Sequence, residues 1–288
     1  MLDSHSSPAS LPARLMDSDP LFRPPHAGDL SAAAISLGFR AGEIGTHTSR
    51  TIMFEDLATL FAACALDASR AEYRESIMTH NCLGKRTLST RRASDQRLGE
   101  LYALDPAVPL FRVMRVLWES DHRGRPLLAL LLAAARDPLL RISAEPILTA
   151  GPGEQVARQR FTNSISRATG ARFNDAILDK IVRNAASSWT QSGHLQGRSH
   201  KVRQAIAPTP AVVAFALLQG FILGVRGQAL FHTFPARLLG ASPSGLLDLA
   251  QDAKRLGLLD LRVSGDVVEI TFPTLLTDEE RRLVYGKN

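Results

Sequence analysis

Apolar residues recur at helical spacing over most of this chain, and a two-residue alternation takes over only near the C-terminus. Ile52, Phe54, Leu57, Leu60 and Phe61 fall on one face, which predicts a helix beginning near Thr51 and capped by Thr51 or Ser49. A short helix is expected over residues 71–80. A longer one runs from about 89 to 103, with Leu98, Leu101 and Tyr102 inward and Arg92 and Gln96 outward. Helices over 108–118 and 126–135 continue the series, the second with Pro126 in its first turn, where a missing N–H does no harm. The run LLALLLAAA is apolar nearly all round, so that helix is expected at the centre of a bundle. Another helix is expected over 138–148, before Gly151-Pro152-Gly153 breaks the pattern.

Beyond that break a helix is expected from Asn174, as N-cap, to Trp189. Ile177, Leu178, Ile181, Ala185 and Trp189 form its inner face, while Lys180 and Arg183 point away as neighbours one turn apart. A glycine-interrupted basic loop covers 192–203. From Thr209 the order becomes helix (210–223), strand (229–234), small helix (235–239), helix (244–256) and hairpin (261–263 with 267–272, turning at 264–266). That is the winged-helix order. The expected fold class is therefore mainly α: a helical bundle followed by a C-terminal winged-helix-like α+β segment. Four segments are expected: a mobile N-terminal tail (1–38), a helical bundle (39–150), a basic helical segment (151–207) and the winged-helix-like domain (208–288).

Composition adds little to this picture until charge is located. Hydrophobics at 45% and charged residues at 22% describe an ordinary globular protein. The net charge of +6 favours an anionic partner, and it is concentrated. Between Arg158 and Arg203 stand nine Lys or Arg against two acids, Asp175 and Asp179. A second cluster, NCLGKRTLSTRRASDQRL from Asn81, places Lys85, Arg86, Arg91, Arg92 and Arg97 around a single acid, Asp95. Short hydroxyls beside arginines at a helix start suit phosphate oxygens, because N–H groups, hydroxyls and cations converge there. The plainer reading is an ordinary helix cap with solvated arginines. The helix after Pro243 carries Asp248 and Asp252 against Lys254 and Arg255. It is too neutral for a groove-entering helix, whose affinity comes largely from phosphate neutralisation. It is expected to pack on the bundle or dock a protein.

Cys64 and Cys82 show no metal-type spacing, which points to a reducing, cytoplasmic setting. The first 23 residues lack the apolar core of a signal peptide. The longest apolar run, 211–225, is too short to span a bilayer, so no membrane association is expected. His194 and His200 have no carboxylate or thiolate nearby in sequence, so no metal site is expected. No phosphate-binding glycine loop, dinucleotide fingerprint or Gly-x-Ser-x-Gly is present. No nucleophile, base and oxyanion site assembles from these residues, so neither catalysis nor a cofactor is expected.

Three segments together resemble the BrxA family of BREX phage-defence systems: SRTIMFEDL (49–57), YRESIMTHNCLGKRTLSTRRASDQRLGELYAL (73–104) and RPLLALLLAAARDPLLR (125–141). The pattern N-x-L-x-K-R-T-x-S-T-R-R, Asn81 to Arg92, is the most specific of them. The match covers about 39–148 well, and more loosely the helix and basic loop through Arg203. This resemblance implies a helical fold similar to the RNA-binding antitermination protein NusB, and binding of double-stranded DNA. It also implies a non-enzymatic role beside a methyltransferase, an ATPase and a phosphatase-like protein of the same antiviral defence locus. The chain departs from compact family members in its longer N-terminal tail and more extensive C-terminal segment. The family supplies no catalytic residues.

The charge pattern nominates the DNA contacts: Lys85, Arg86, Ser89, Thr90, Arg91 and Arg92 in one group, and Lys180, Arg183, Arg198, Lys201 and Arg203 in another. Backbone contact with little base readout is expected, since no Asn/Gln-rich recognition helix is visible. Two alternatives stay open: a protein–protein adaptor within the defence complex, and an RNA-binding protein of NusB type.

Overall fold

The sequence LLALLLAAA does become the centre of the molecule: every residue from Leu127 to Ala135 is buried. A computed structural model of the chain describes residues 25, 27–43, 45–265 and 267–285. Fourteen α-helices and four short strands lie within them. The first half is wholly helical: α1 (Ala32–Ser36), α2 (Phe54–Ala63), α3 (Arg70–Met78), α4 (Leu88–Tyr102), α5 (Pro109–Ser120), α6 (Arg125–Arg136), α7 (Pro138–Ile142) and α8 (Glu145–Leu148). Then come α9 (Arg158–Thr169), α10 (Asp175–Gln191) and a two-residue hairpin, β1 (Leu195–Gln196) and β2 (Val202–Arg203). The C-terminal part holds α11 (Pro210–Ile222), α12 (Phe234–Arg237), α13 (Pro243–Arg255), the antiparallel pair β3 (Asp260–Ser264) and β4 (Val267–Thr271), and α14 (Asp278–Tyr285).

The central helix α6 packs against α4, α5 and α11. Each fully buried leucine on it contributes roughly 2 kcal/mol by leaving water, so the middle of α6 is where truncation would be felt most. The second apolar run, α11, also packs on α5, α12 and α13. It approaches α6 closely: a Cβ on Gly124 would collide with Val212 and with the side chain of Asp121. One continuous apolar cluster extends from Leu30 to Leu276, so the C-terminal α+β segment shares the core of the bundle. No helix of the described residues is long and apolar enough to cross a membrane.

Several local expectations are corrected. Residues 1–24 lie outside the described residues, but 27–38 are not a tail. They form a 3-10 turn (Ala27–Asp29) and α1, and they bury Leu30, Ala34 and Leu37 in the core. Helix α2 starts later than expected and is not capped by Ser49 or Thr51. Its N-cap is Met53 in the left-handed region (φ 52°), and Thr51 Oγ1 instead accepts the Met53 N–H at 3.0 Å. The helix expected over 138–148 is two, broken between Ile142 and Glu145.

The strand expected at 229–234 is a 3-10 turn, Gly227–His232. Adjacent Leu230 and Phe231 are both buried, whereas strand neighbours point to opposite faces. The turn packs beside β4, where a third strand of a wing would pair. Helix α9 and the β1–β2 pair are additions that the apolar pattern did not signal. A bridge from Gln155 to Val202 ties the strand pair to the segment before α9.

Candidate functional site

The Asn81–Leu98 stretch owes its shape to backbone chemistry before any ligand is considered. Asn81 adopts φ 51°, and its Oδ1 accepts the Lys85 N–H at 2.8 Å, closing a tight turn. Thr87 then caps α4, with its hydroxyl on the Thr90 N–H and the Thr90 hydroxyl reaching back to the Thr87 N–H. Thr90 is therefore occupied with the cap, contrary to its expected role as a phosphate donor. Arg91 is likewise occupied. Its guanidinium donates to the carbonyls of Met78 (3.0 Å) and Lys85 (3.4 Å), closing off the end of α3. Lys85 pairs with Asp56 in the first turn of α2 at 2.8 Å.

Arg86, Ser89 and Arg92 stand exposed, with no side-chain hydrogen bond or ion pair among the described residues. The local acid does not neutralise them. Asp95 is 3% exposed and holds Arg70 and Arg74 at 2.7 and 2.9 Å. Of the first predicted group, three residues thus stay available to an anion.

The second basic group is rearranged by folding. Acids from outside the segment reach in: Glu154 pairs with Arg160, Glu145 with Arg167, and Glu43 with Arg172 across 129 residues. Arg203 is 6% exposed, with Nε on the Ile147 carbonyl at 3.3 Å and Nη1 on the carbonyls of His194 and Gln204. Its guanidinium ties β2 to α8 and is withdrawn from the candidate contacts. Lys180 and Arg198 are exposed and unpaired among the described residues.

Between α9, α10 and the β1–β2 turn lies a cleft of about 460 Å³. Arg183, Arg198 and Lys201 line it, together with Arg158, which belongs to the dense basic stretch but was not among the nominated contacts. Its floor is apolar, from Val156, Phe161, Val182 and Ala186. One carboxylate, Asp179, serves both Arg158 and Arg183, so the rim keeps an excess of positive charge. Lys201 donates to Thr190 Oγ1 at 2.9 Å, and partial burial pulls its pKa below the usual lysine range. Helix α9 begins at this cleft with Ala157 as N-cap and no side-chain cap. Its first N–H groups and the positive end of its dipole therefore add to the field of the cations.

A path of bonded residues joins the two basic groups through the start of α2. Lys201 touches Thr190, the next residue Gln191 accepts the Phe54 N–H at 3.1 Å, and Asp56 one half-turn on receives Lys85.

Two buried histidines lie beside this framework. His47 Nδ1 is 2.8 Å from Asp137 Oδ2 and its Nε2 is 2.8 Å from Ser188 Oγ. Acid, imidazole and hydroxyl stand in the order of a hydrolytic triad. All three are at most 1% exposed, and Ser188 Oγ already takes the Ile52 N–H at 3.0 Å, so this hydroxyl meets no substrate. His194, six residues before the exposed His200, is fully buried and bonded to Ser192 and Leu238. Among the described residues no cluster of three His, Cys, Asp or Glu side chains has metal-binding geometry.

No family model matches the chain, and no curated protein matches its sequence.

Proposed function

We propose that this chain is a non-enzymatic, cytoplasmic accessory protein of a BREX-type phage-defence system that holds duplex DNA by its phosphate backbone with little sequence preference. The reading rests on one observation above others: Arg158, Arg183, Arg198 and Lys201 converge on a single cleft at the uncapped start of α9, with only Asp179 among them. Arg86, Ser89 and Arg92 extend the set of anion-facing groups at the start of α4. The resemblance of 49–57, 73–104 and 125–141 to BrxA supplies the biological setting and the partners: a methyltransferase, an ATPase and a phosphatase-like component.

Binding of this kind has a Kd on the order of micromolar or weaker at physiological salt and weakens steeply as salt rises. Gel-shift titration of several unrelated duplexes from low to high salt tests it. Affinity that is independent of salt, or that differs by orders of magnitude between sequences, contradicts the proposal.

A second reading is favoured by a separate observation. Leu256, Val263 and Val267 are 65%, 50% and 69% exposed at the end of α13 and on the β3–β4 hairpin. Of the cations there, Arg255 is engaged by Asp252 and Lys254 by the Leu261 carbonyl, and Arg262 lies 3.8 Å from Glu269 on the facing strand. Such a surface suits a protein partner better than DNA. A pull-down from the native host that keeps the partner after nuclease treatment identifies an adaptor. The NusB-type reading, with RNA as ligand, rests on fold analogy alone, and competition between structured RNA and duplex DNA decides it.

A further inference from the structure

The cleft beside α9 is roomier and more apolar than phosphate contact requires. A duplex presents a convex, charged backbone, and cations on an open surface suffice to hold it. Here the cations ring a recess of about 460 Å³ floored by Val156, Phe161, Val182 and Ala186, within the roughly 300–1,000 Å³ of small-molecule sites. An intact duplex keeps its bases paired and stacked, so it offers such a recess only sugar and phosphate. An unpaired nucleotide can fill it, with its base over the apolar floor and its phosphate at the rim.

We infer that the recess seats one unpaired nucleotide, so that the preferred DNA is a duplex with a single-stranded end. This rests on the DNA-binding reading above and specifies which part of the DNA reaches the site. The side chains divide accordingly. Arg183, Arg198 and Lys201 lie where a 5′ or 3′ phosphate would enter, and Arg158 adds its charge at the first turn of α9. Ser187 and Ser199 also line the recess, and their hydroxyls both donate and accept, which suits the polar edge of any base rather than one in particular. The apolar floor is equally indifferent to base identity, because apolar burial is non-directional. The site thereby reads strandedness and leaves sequence unread.

The test compares one labelled duplex in blunt form with the same duplex carrying a short 3′ overhang, by fluorescence anisotropy at fixed salt. Covering the apolar floor with one base is expected to tighten the overhang form about tenfold. Ala186→Trp fills the recess from the middle of α10 and is expected to bring the overhang duplex to the affinity of the blunt one. Should that variant fold poorly, competition on the unaltered chain gives the same answer: dAMP displaces the overhang probe at lower concentration than deoxyribose 5-phosphate does. Equal affinity for the two duplexes, or equal competition by the two small molecules, overturns the inference and leaves backbone binding intact. Failure of both duplexes to bind at low salt overturns the DNA reading and the inference together.

Discussion

Asp137 joins two parts of the chain that lie 90 residues apart, with its Oδ2 2.8 Å from His47 Nδ1 in the middle of the core. The same oxygen accepts the His47 N–H at 3.1 Å, and Oδ1 accepts the N–H groups of Leu139 and Leu140 in the first turn of α7. His47 in turn reaches Ser188 on α10, and Ser188 reaches Ile52. The imidazole therefore fastens the 46–52 segment to two helices at once.

Removing that carboxylate leaves several buried donors unpaired, so Asp137→Ala is expected to destabilise the fold by about 3–5 kcal/mol. Ser188→Ala strands fewer groups and is expected to cost about 1–3 kcal/mol. Gly45 is part of the same unit, because a Cβ there would fall inside the Asp137 carboxylate. Gly45→Ala should therefore couple to Asp137→Ala, with the double variant less destabilised than the two singles added together. Urea unfolding midpoints at unchanged m-value measure all of these. Strict additivity would show that the clash and the hydrogen bonds are independent.

His194 gives a pH signature. Its Nε2 lies 2.8 Å from the Leu238 carbonyl and so must donate, which leaves Nδ1 to accept from Ser192 at 2.9 Å. The neutral ring is fully satisfied. Burial pushes its pKa down from 6.5 to about 3. Because the folded value is the depressed one, its contribution is complete above 6.5 and is lost as pH falls toward 3. Between pH 6.5 and 5 the loss from this group is about 2 kcal/mol. Urea unfolding of the wild type and of His194→Gln at several pH values isolates it. The difference between their slopes should approach one proton, and parallel slopes would contradict a neutral buried ring.

Regular apolar spacing made most of the helices legible. Leu98, Leu101 and Tyr102 recur on one face of α4 and are all fully buried, while Arg92 and Gln96 are exposed as expected. The β3–β4 hairpin was marked by alternation on either side of Gly265, which takes φ 58°. Helix α9 was missed because Phe161 and Ile165 are its only large apolar residues among polar neighbours, a stripe too thin to stand out. The signal available was that pair one turn apart, followed by Gly170 past the helix end. Charge was the least legible property. Of the nine cations along 158–203, Arg160 meets nearby Glu154, while Arg167 and Arg172 meet Glu145 and Glu43, acids that sequence proximity does not reveal. Local sequence charge predicted where cations are dense, and tertiary pairing decided which remain free.

The start of α4 separates free cations from occupied ones, and binding should follow that division. Arg86→Glu with Arg92→Glu alters two exposed, unpaired side chains. Folding stability should stay within about 0.5 kcal/mol of wild type. DNA affinity should fall for all sequences alike, and the salt slope should drop by about one for each phosphate that the variant no longer neutralises. Arg91→Ala, by contrast, uncovers the Met78 carbonyl at the end of α3 and should lower the unfolding midpoint as well. Anisotropy and thermal melting of the two variants separate these outcomes, and equal melting points would show that the Arg91 bonds do not stabilise the fold.

Arg198 and Arg203 stand five residues apart in sequence and predict opposite phenotypes. Arg198 lines the cleft from the exposed β1–β2 turn. Arg203 is buried, and its guanidinium is spent on the carbonyls of Ile147, His194 and Gln204. Its backbone also closes the hairpin onto the preceding loop, with Arg203 N on the Glu154 carbonyl at 2.9 Å and Gly153 N on the Arg203 carbonyl at 2.8 Å. Arg198→Ala should therefore weaken DNA binding severalfold with the urea midpoint unchanged. Arg203→Met keeps much of the side-chain volume but leaves buried carbonyls without donors, and should destabilise by about 1–3 kcal/mol. Any loss of DNA affinity in that variant should track its loss of folded protein. If Arg203→Met instead weakened binding at a wild-type midpoint, the guanidinium would have to reach the ligand, and its place as an internal tie between β2 and α8 would be wrong.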